Sequence, residues 1–380
     1  MKIQQLILTG SKIGRDQVAP LAALAPNLVF VFAAPSYFLP DGAVRDLAGL
    51  FPGATLIGCS TAGEVSRSGV HEGSAVITAI RLEKSRITSG TTQLLGMADS
   101  RAAGQRLANK LLAPDLVAVV VFGPGVSING SALVEGMAEV LGKTFPLSGG
   151  LAGDNGAFVQ TWTIHNGDIS DRAVVAVGFA GDDLQIRHGS FGGWQAFGPA
   201  RLVTRCESNV LFELDGEPAL ETYKRYLGDY AKDLPASGLL FPFAMLEDDL
   251  SATGLTRTIL GIDEAAGSVT LAGEIYQGRY VKLMHSSTEG LLDGAEMAAR
   301  AVLIDAKLPA PALALLVSCV GRKLAMGDRV EEEVEAVSSL LGDGTVCAGY
   351  YSNGEISPFA PSAECKLHNQ TMTITTIAEI

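Results

Sequence analysis

A strand–helix–strand order that recurs three times most constrains what this chain can fold into. Three apolar runs have the length and composition of buried strands, at 28–34, 115–122 and 312–319. Each is followed by a helical pattern, at 41–51, 131–142 and 328–342. A second short strand then follows, at 54–58, 144–150 and 345–349. Each unit implies a right-handed crossover between two neighbouring parallel strands.

Other segments alternate apolar and polar residues, which is typical of antiparallel strands, at 74–93, 173–181, 201–216 and 268–284. The sequence therefore predicts an α/β fold with mixed parallel and antiparallel sheets and repeated βαβ units. A chain of 380 residues has room for two or three domains. We place two, 1–210 and 211–380, because a hairpin-like pair ends near 216 and a helix begins. Whether the units share one sheet or two stays open.

The second strand of each unit runs into a glycine-framed turn. GCSTAGE (58–64) and GYYSNGE (349–355) both read Gly, four residues, Gly, Glu, and the middle copy, GGLAGD (149–154), is one residue shorter and ends in Asp. Such turns can form anion-binding nests, and α/β sheets bind ligands beyond the carboxyl ends of their strands. The side chains expected to frame one or two small-molecule pockets are Ser60, Thr61, Glu64, Asp154, Tyr351, Ser352, Asn353 and Glu355. The alternative is that the glycines only make tight turns and each acid caps the next segment.

Further candidates lie outside the turns. Arg322, after the strand end in SCVGRK (318–323), is expected to hold a carboxylate, either from a ligand or from Glu355. His368 and Asn369 begin a strand in KLHNQTMTIT (366–375) and are candidate ligand contacts, although a histidine there is more often a hydrogen-bonded core residue. Cys365 three residues earlier is a weak metal signal, since zinc needs two more ligands.

Composition excludes several classes of protein. The net charge of −13 without a Lys/Arg-rich run argues against nucleic acid and anionic membrane surfaces as partners. No 18-residue apolar stretch predicts membrane insertion, and the first residues do not look like a signal peptide. Five scattered cysteines without a CxxC pair indicate reduced thiols in the cytoplasm. GxSxG, Walker and HExxH motifs are absent from the sequence.

Seven stretches spread over almost the whole chain resemble FIST proteins, bacterial sensory modules with an N-terminal and a C-terminal FIST domain. They are IGCSTAGEV (57–65), SGGLAGD (148–154), FELDGEPALETY (212–223), TRTILGID (256–263), SCVGRK (318–323), GYYSNGEISP (349–358) and LHNQT (367–371). One departure is FGGW (191–194), where the resemblance leads us to expect a His-Gly-Trp-like run.

The resemblance implies a cytoplasmic signal-transduction sensor that binds a small ligand and is not an enzyme. Its most specific version is a nitric oxide sensor with haem b that regulates a partner histidine kinase in a two-component system. Haem needs an axial ligand, for which His368 is the first candidate and His188 the second. An amino-acid sensor without haem is the alternative, and a homodimer is compatible with either. Two other classes stay open: a hydrolase using Ser60 or Cys319 with Glu355 or His368, and a scaffold without a formed pocket.

Overall fold

Three modules of the same strand order build most of the molecule. The computed structural model describes residues 1–10, 12–304, 308–359 and 363–380. The first module contains β1 (Lys2–Thr9), α1 (Arg15–Ala23), β2 (Leu28–Ala33), β3 (Thr55–Ser60), β4 (Glu64–Ser66), β5 (Gly69–His71) and β6 (Ser74–Arg81). The second contains β7 (Arg86–Gln93), α2 (Ser100–Leu111), β8 (Leu116–Gly123), α3 (Gly130–Leu141), β9 (Leu147–Leu151), β10 (Thr163–His165), β11 (Asp168–Ser170) and β12 (Ala173–Ala180).

The third module is interrupted by an insert. It begins with β13 (Leu184–Phe191) and resumes with α5 (Thr288–Ala301), β22 (Ala312–Cys319), α6 (Val320–Met326), α7 (Val330–Leu341), β23 (Thr345–Ser352), β24 (Gly354–Pro358), β25 (Cys365–His368) and β26 (Met372–Glu379). The insert contains β14 (Gln195–Glu207), β15 (Val210–Leu214), β16 (Glu217–Pro218), α4 (Ala219–Leu227), β17 (Phe243–Leu246), β18 (Ala252–Arg257), β19 (Ile259–Asp263), β20 (Ser268–Leu271) and β21 (Tyr280–His285). It folds as an antiparallel sheet with α4 on its own apolar core.

Each module forms a four-stranded sheet in which two parallel strands lie at one end and two strands with antiparallel pairing continue the sheet on the other side. The orders are β1-β6-β2-β3, β7-β12-β8-β9 and β13-β26-β22-β23. The parallel pairs are β2 with β3, β8 with β9 and β22 with β23. The mixed α/β fold with repeated βαβ units is therefore confirmed.

The continuous apolar runs are explained by burial of both sheet faces. In β2, Leu28, Phe30 and Phe32 point into a core that the three modules share, while Val29 and Val31 pack in the outer layer. At the centre of the shared core, the rings of Phe32 and Tyr350 stack with centroids 4.8 Å apart, and Phe122 meets Phe32 edge-on at 5.5 Å. Such ring pairs add about 1 kcal/mol each beyond the area they bury.

Each module extends a hairpin that pairs with the sheet of another module, so all three modules are joined to one another. The hairpin β4–β5 of the first module pairs with β23, β10–β11 of the second pairs with β3, and β24–β25 of the third pairs with β9. Strands from both sides of the predicted join at 210 share three of the four described sheets, including that of the insert, where β14 pairs with β21. The predicted bounds, 1–210 and 211–380, divide the chain by sequence rather than by space.

One predicted helix is wrong. Residues 41–51 form turns and a short 3-10 helix, Leu47–Leu50, and Asp41 caps nothing in the described structure. The cause lies at Gly42, where a Cβ would lie 2.1 Å from the carbonyl oxygen of Tyr37. The amides of Gly42 and Val44 bond back to Leu39 and Tyr37, so the chain folds on itself where a helix would have to start.

Candidate functional site

Three glycines set the geometry of the turns. Gly58, Gly149 and Gly349 occupy the same place in β3, β9 and β23, next to the neighbouring parallel strand. A Cβ at these positions would lie 1.8, 2.0 and 1.8 Å from a backbone carbonyl oxygen of that strand. No side chain fits at such distances, so glycine is required by close approach of two backbones.

The three turns meet at one point and are joined in a ring by their backbones. The amide of Ala62 donates to the carbonyl of Tyr351 at 2.8 Å, and that of Gly153 to Ser60 at 2.8 Å. Asn353 N closes the ring by donating to Leu151 O at 3.3 Å. Each turn thus donates one of these three bonds and accepts one, and Tyr351 N donates a further bond to Gly63 O at 2.9 Å.

This ring also corrects the predicted equivalence of the middle turn. Counted from the aligned glycines, Asp154 matches the second glycine of the other turns, and Asn155 matches their glutamates. The middle copy is therefore not one residue shorter. The Asp154 carboxylate accepts from the amides of the following loop, Phe158, Val159 and Gln160, at 2.7–3.1 Å.

Glu64 and Glu355 are buried in matching internal networks. Each accepts from a hydroxyl three residues earlier, Thr61 and Ser352 respectively. Each also accepts from the amide and hydroxyl of one residue beside the next module strand, Ser74 for Glu64 and Thr371 for Glu355. These acids fasten the turns to the strands that follow, which is close to the capping alternative.

Burial raises the pKa of Glu355 to about 8, against the lowering effect of its hydrogen bonds from Ser352 and Thr371 and of the Arg322 charge. Because the folded state holds this proton more tightly, the contribution to stability is full below pH 4.5 and is lost as the pH rises through 8. We expect the wild type to lose stability relative to Glu355→Gln over this range, by up to about 1.4 kcal/mol per pH unit. Thermal melts at a series of pH values measure the difference. The exposed Glu331→Gln should follow the wild type, and a parallel profile for Glu355→Gln would contradict the assignment.

Arg322 is fully buried, and its carboxylate partner is Glu333 rather than Glu355. Its Nε lies 2.8 Å from Glu333 Oε1, and its other nitrogens donate to carbonyl oxygens that include those of Gly192 and Leu291. The other oxygen of Glu333 accepts from Tyr351 Oη at 2.7 Å and from Ser318. The expected pairing with Glu355 is wrong. Glu333, on α7, occupies the position next to the Arg322 guanidinium instead.

The side chains proposed for catalysis are occupied or buried. Ser60 Oγ donates to Gly153 O at 2.8 Å and accepts from Trp162 N at 2.9 Å. Burial raises the pKa of the Cys319 thiol, so its reactive thiolate form is disfavoured.

The predicted histidines lie in the core. His368 Nε2 is 2.6 Å from Ser357 O, its ring meets Phe359 edge-on at 4.1 Å, and burial lowers its pKa to about 4. His188 is buried, with Nδ1 3.2 Å from Thr375 Oγ1. Asn369 is also buried. In the described ranges no three His, Cys, Asp or Glu side chains gather to hold a metal ion.

A cavity of about 400 Å³ lies beside the meeting turns, between the second module and the insert. Its walls come from the loop 125–130, the end of β9, residues 158–159, Leu367, and β20 with the residues around it. Of the predicted site residues, Asn353 lines this cavity, and the others do not within the described part of the chain. It is the size of a small-molecule site.

The residues that sequence analysis missed belong to two stretches. GPGVSING (123–130) stood out by its glycines but matched no nucleotide-binding pattern, and it supplies one wall. Thr270–Gly273 of the insert supply the opposite wall. Only the approach of the insert to the second module could have revealed them, and no local pattern encodes that approach.

Comparison with known proteins identifies the class. Residues 27–217 match the FIST N domain and residues 219–358 match the FIST C domain. The chain belongs to the FIST family, whose domains are ligand-binding sensor domains of signal transduction. No helix in the described residues is long and apolar enough to cross a membrane.

Two further similarities are more distant. A stretch of 96 residues, 25% of this chain, is 33% identical to an uncharacterized protein of Methanocaldococcus jannaschii and spans 19% of that protein. The crystal structure of cyanuric acid hydrolase from A. caulinodans aligns with 100% of this chain and 99% of its own, at 10% identity and a TM-score of 0.40. Identity and TM-score are too low for this likeness to bear on activity.

Proposed function

We propose that this chain is the ligand-recognition part of a signalling system and that the cavity beside the three turns is its ligand site. The observation that carries the proposal is that three different parts of the chain contribute to the cavity walls. Asn353 comes from a turn of the third module, the loop 125–130 from the second, and Thr270–Gly273 from the insert. A ligand touching all of them stabilises the arrangement in which they face each other.

The insert is the part whose position a ligand would bias. Across the cavity, Asn129 Nδ2 donates to Glu274 Oε1 of the insert at 2.9 Å, while Asn129 Oδ1 caps α3 by accepting from Ala132 N. Any change in the insert's distance from α3 acts on this bond. Signal output through a partner protein follows from such a shift, and a histidine kinase is the partner that the family resemblance implies.

The haem version of the sensor finds poor support among the side chains proposed for it. An axial histidine has to direct one ring nitrogen into open space. The ring nitrogens of His368 and His188 without a partner, Nδ1 and Nε2 respectively, are both buried, and neither histidine lines the cavity. We therefore propose a ligand other than haem b. Because nitric oxide sensing would depend on haem, we do not propose it either. A haem-dependent Soret band in the purified protein that Leu260→Trp abolishes would restore that version.

We propose binding without catalysis. The Ser60 hydroxyl donates to one backbone group of the second module and accepts from another, and the Cys319 thiol is buried beside Glu355. A nucleophile needs a base within hydrogen-bond reach and room for a substrate. We propose the cytoplasm as its location, which the five free cysteines support.

Blocking the mouth of the cavity tests the proposed site. Leu260 lines it and is 37% exposed, so Leu260→Trp should be tolerated by the fold and should obstruct entry. Small molecules released from the denatured protein are compared by mass spectrometry. We expect a compound enriched with the wild type to be depleted at least about tenfold with Leu260→Trp, equivalent to about 1.4 kcal/mol of binding.

The matched control is Leu324→Trp, a 48% exposed leucine that does not line the cavity. It should retain the wild-type compound. Equal recovery from all three proteins would contradict the assignment of the ligand site to this cavity.

A further inference from the structure

We infer that this cavity selects an uncharged small molecule that donates an N–H or O–H hydrogen bond to Asn353 Oδ1 and packs an apolar body against Leu151, Phe158 and Leu367. The inference rests on the proposed function, since it assigns the chemical class of the ligand to the same site. It follows from one unpartnered acceptor and from the absence of charge on the described lining.

The acceptor is the side-chain oxygen of Asn353. The residue is 8% exposed and lines the cavity. Its Oδ1 has no hydrogen-bond partner among the described residues and almost no accessible surface, so a ligand donor reaches it through a small shift of the cavity wall. Burying such an oxygen unpaired costs free energy, which a ligand donor would recover.

The orientation of the Asn353 amide is fixed by its neighbour. Nδ2 faces Gly125 O at 3.5 Å, and a Cβ on Gly125 would lie 2.8 Å from this nitrogen. Turning the amide over would set two oxygens against each other, so the oxygen is the atom left for a ligand. The backbone amide of Asn353 is already used in the ring, which holds the residue in place.

The described lining of the cavity contains apolar side chains, glycines, amides and hydroxyls, and no charged side chain. Three charged side chains stand behind the described lining, and each is hydrogen-bonded within the protein. The Asp154 carboxylate accepts from the amides of Phe158 and Val159 on one side. Glu274 accepts from Asn129 Nδ2 at 2.9 Å and from Tyr276 Oη at 3.0 Å. The buried Arg257 lies against Gly273 and donates its Nε to Glu274 O at 2.9 Å.

Glu274 and Arg257 are opposite in sign and flank the same stretch of wall, while Asp154 is already bonded to three backbone amides. A charged ligand therefore finds no counter-ion on the described lining. An ion entering the cavity would lose its hydration without gaining a counter-ion, which is the costly case. A neutral molecule avoids this cost and buries apolar area against the leucine and phenylalanine side chains.

Four probes of nearly the same shape test the inference: phenylacetamide, methyl phenylacetate, phenylacetate and 2-phenylethylammonium. They differ in charge and in whether a neutral donor is present. Binding is measured by ligand-observed NMR titration against the intact chain. For about ten non-hydrogen atoms we expect phenylacetamide to bind with a Kd of about 1 mM. The ester, lacking the donor, and both ions should bind at least about fivefold more weakly.

Asn353→Leu is the decisive variant, because it keeps the side-chain shape and removes the acceptor. It should weaken phenylacetamide binding about fivefold and leave the ester unchanged. Its melting temperature should fall only slightly, since the lost oxygen had no partner in the described structure and the lost Nδ2 makes one long hydrogen bond of 3.5 Å to Gly125 O. Asn369→Leu is the matched control: Asn369 is also buried with an unpartnered Oδ1, but it does not line the cavity. It should bind phenylacetamide like the wild type.

The outcomes separate the two proposals. If phenylacetate or the ammonium probe binds best, and Leu260→Trp removes that binding, the ligand site stands and the inferred uncharged class is overturned. If phenylacetamide binds equally to wild type and Asn353→Leu, the role of Asn353 is overturned. If no probe binds or Leu260→Trp leaves all binding intact, the cavity is not the ligand site and both proposals fail.

Discussion

Gly349→Ala is expected to lower the free energy of unfolding by more than about 3 kcal/mol, which places it among the most damaging single changes. The new Cβ would lie 1.8 Å from Leu316 O and 2.6 Å from its carbon. Both atoms belong to the backbone of β22, which is paired on its other side with β26, so the strand cannot retreat without breaking its ladder. Chemical denaturation measures the loss.

The control for this change is Gly49→Ala, since a Cβ on Gly49 meets nothing within 4 Å. It should alter the unfolding free energy by no more than about 0.5 kcal/mol. Gly58→Ala and Gly149→Ala should resemble Gly349→Ala, because the same clash recurs at 1.8 and 2.0 Å. A near-wild-type Gly349→Ala protein would mean that the parallel strands are not this close.

Arg322→Met is expected to cost about 3–5 kcal/mol, because it leaves the fully buried Glu333 without its counter-charge. The same change removes the donors to Gly192 O and Leu291 O. Those two carbonyls lie where the insert leaves and rejoins the third module. Increased hydrogen exchange of the insert, together with a lower unfolding midpoint in denaturant, checks the result.

A double-mutant cycle separates the ion pair from the packing of its side chains. Arg322→Met with Glu333→Met should be less destabilising than the sum of the two single changes by at least about 2 kcal/mol, because no lone charge is left buried. Arg329→Met, which removes exposed ion pairs with Glu332 and Glu289, should have no measurable effect. Additive costs at 322 and 333 would contradict the account of a mutually dependent pair.

Local patterns in the sequence predict the modules well. The apolar runs that became β2, β8 and β22 are long enough and bounded sharply enough to be read directly, and so are the helical patterns of α3 and α7. The failed helix at 41–51 has a similar pattern, but contact of Gly42 with the Tyr37 carbonyl overrides it.

The site was predictable only in part. The turns follow from a local sequence pattern, but the cavity walls depend on the approach of the insert to the second module. The repeated Gly-x4-Gly-Glu spacing pointed to turns that do meet, and Asn353 lies on the cavity. The same spacing left open whether Glu64 and Glu355 face a ligand or cap the next segment, and the structure shows them bonded inward to Ser74 and Thr371. Hairpin exchange between modules and the approach of the insert depend on contacts between residues far apart in sequence, which periodicity does not encode.

The pairing of Arg322 illustrates the same limit. Sequence analysis offered Glu355, thirty-three residues away, and missed Glu333, which is only eleven residues away. The choice depends on how α7 packs over β22 and β23, where Tyr351 and Ser318 also reach Glu333. Arg322 therefore binds the carbonyls of Gly192 and Leu291, on either side of the insert, in addition to Glu333.

The most direct measurement of the central claim is a crystal structure with 4-bromophenylacetamide bound, using the anomalous signal of bromine to locate it. The account predicts a bromine peak among the apolar side chains of the cavity, with the amide nitrogen within hydrogen-bond reach of Asn353 Oδ1. A bromine peak elsewhere on the molecule, with this cavity empty at a probe concentration well above the measured Kd, would contradict it.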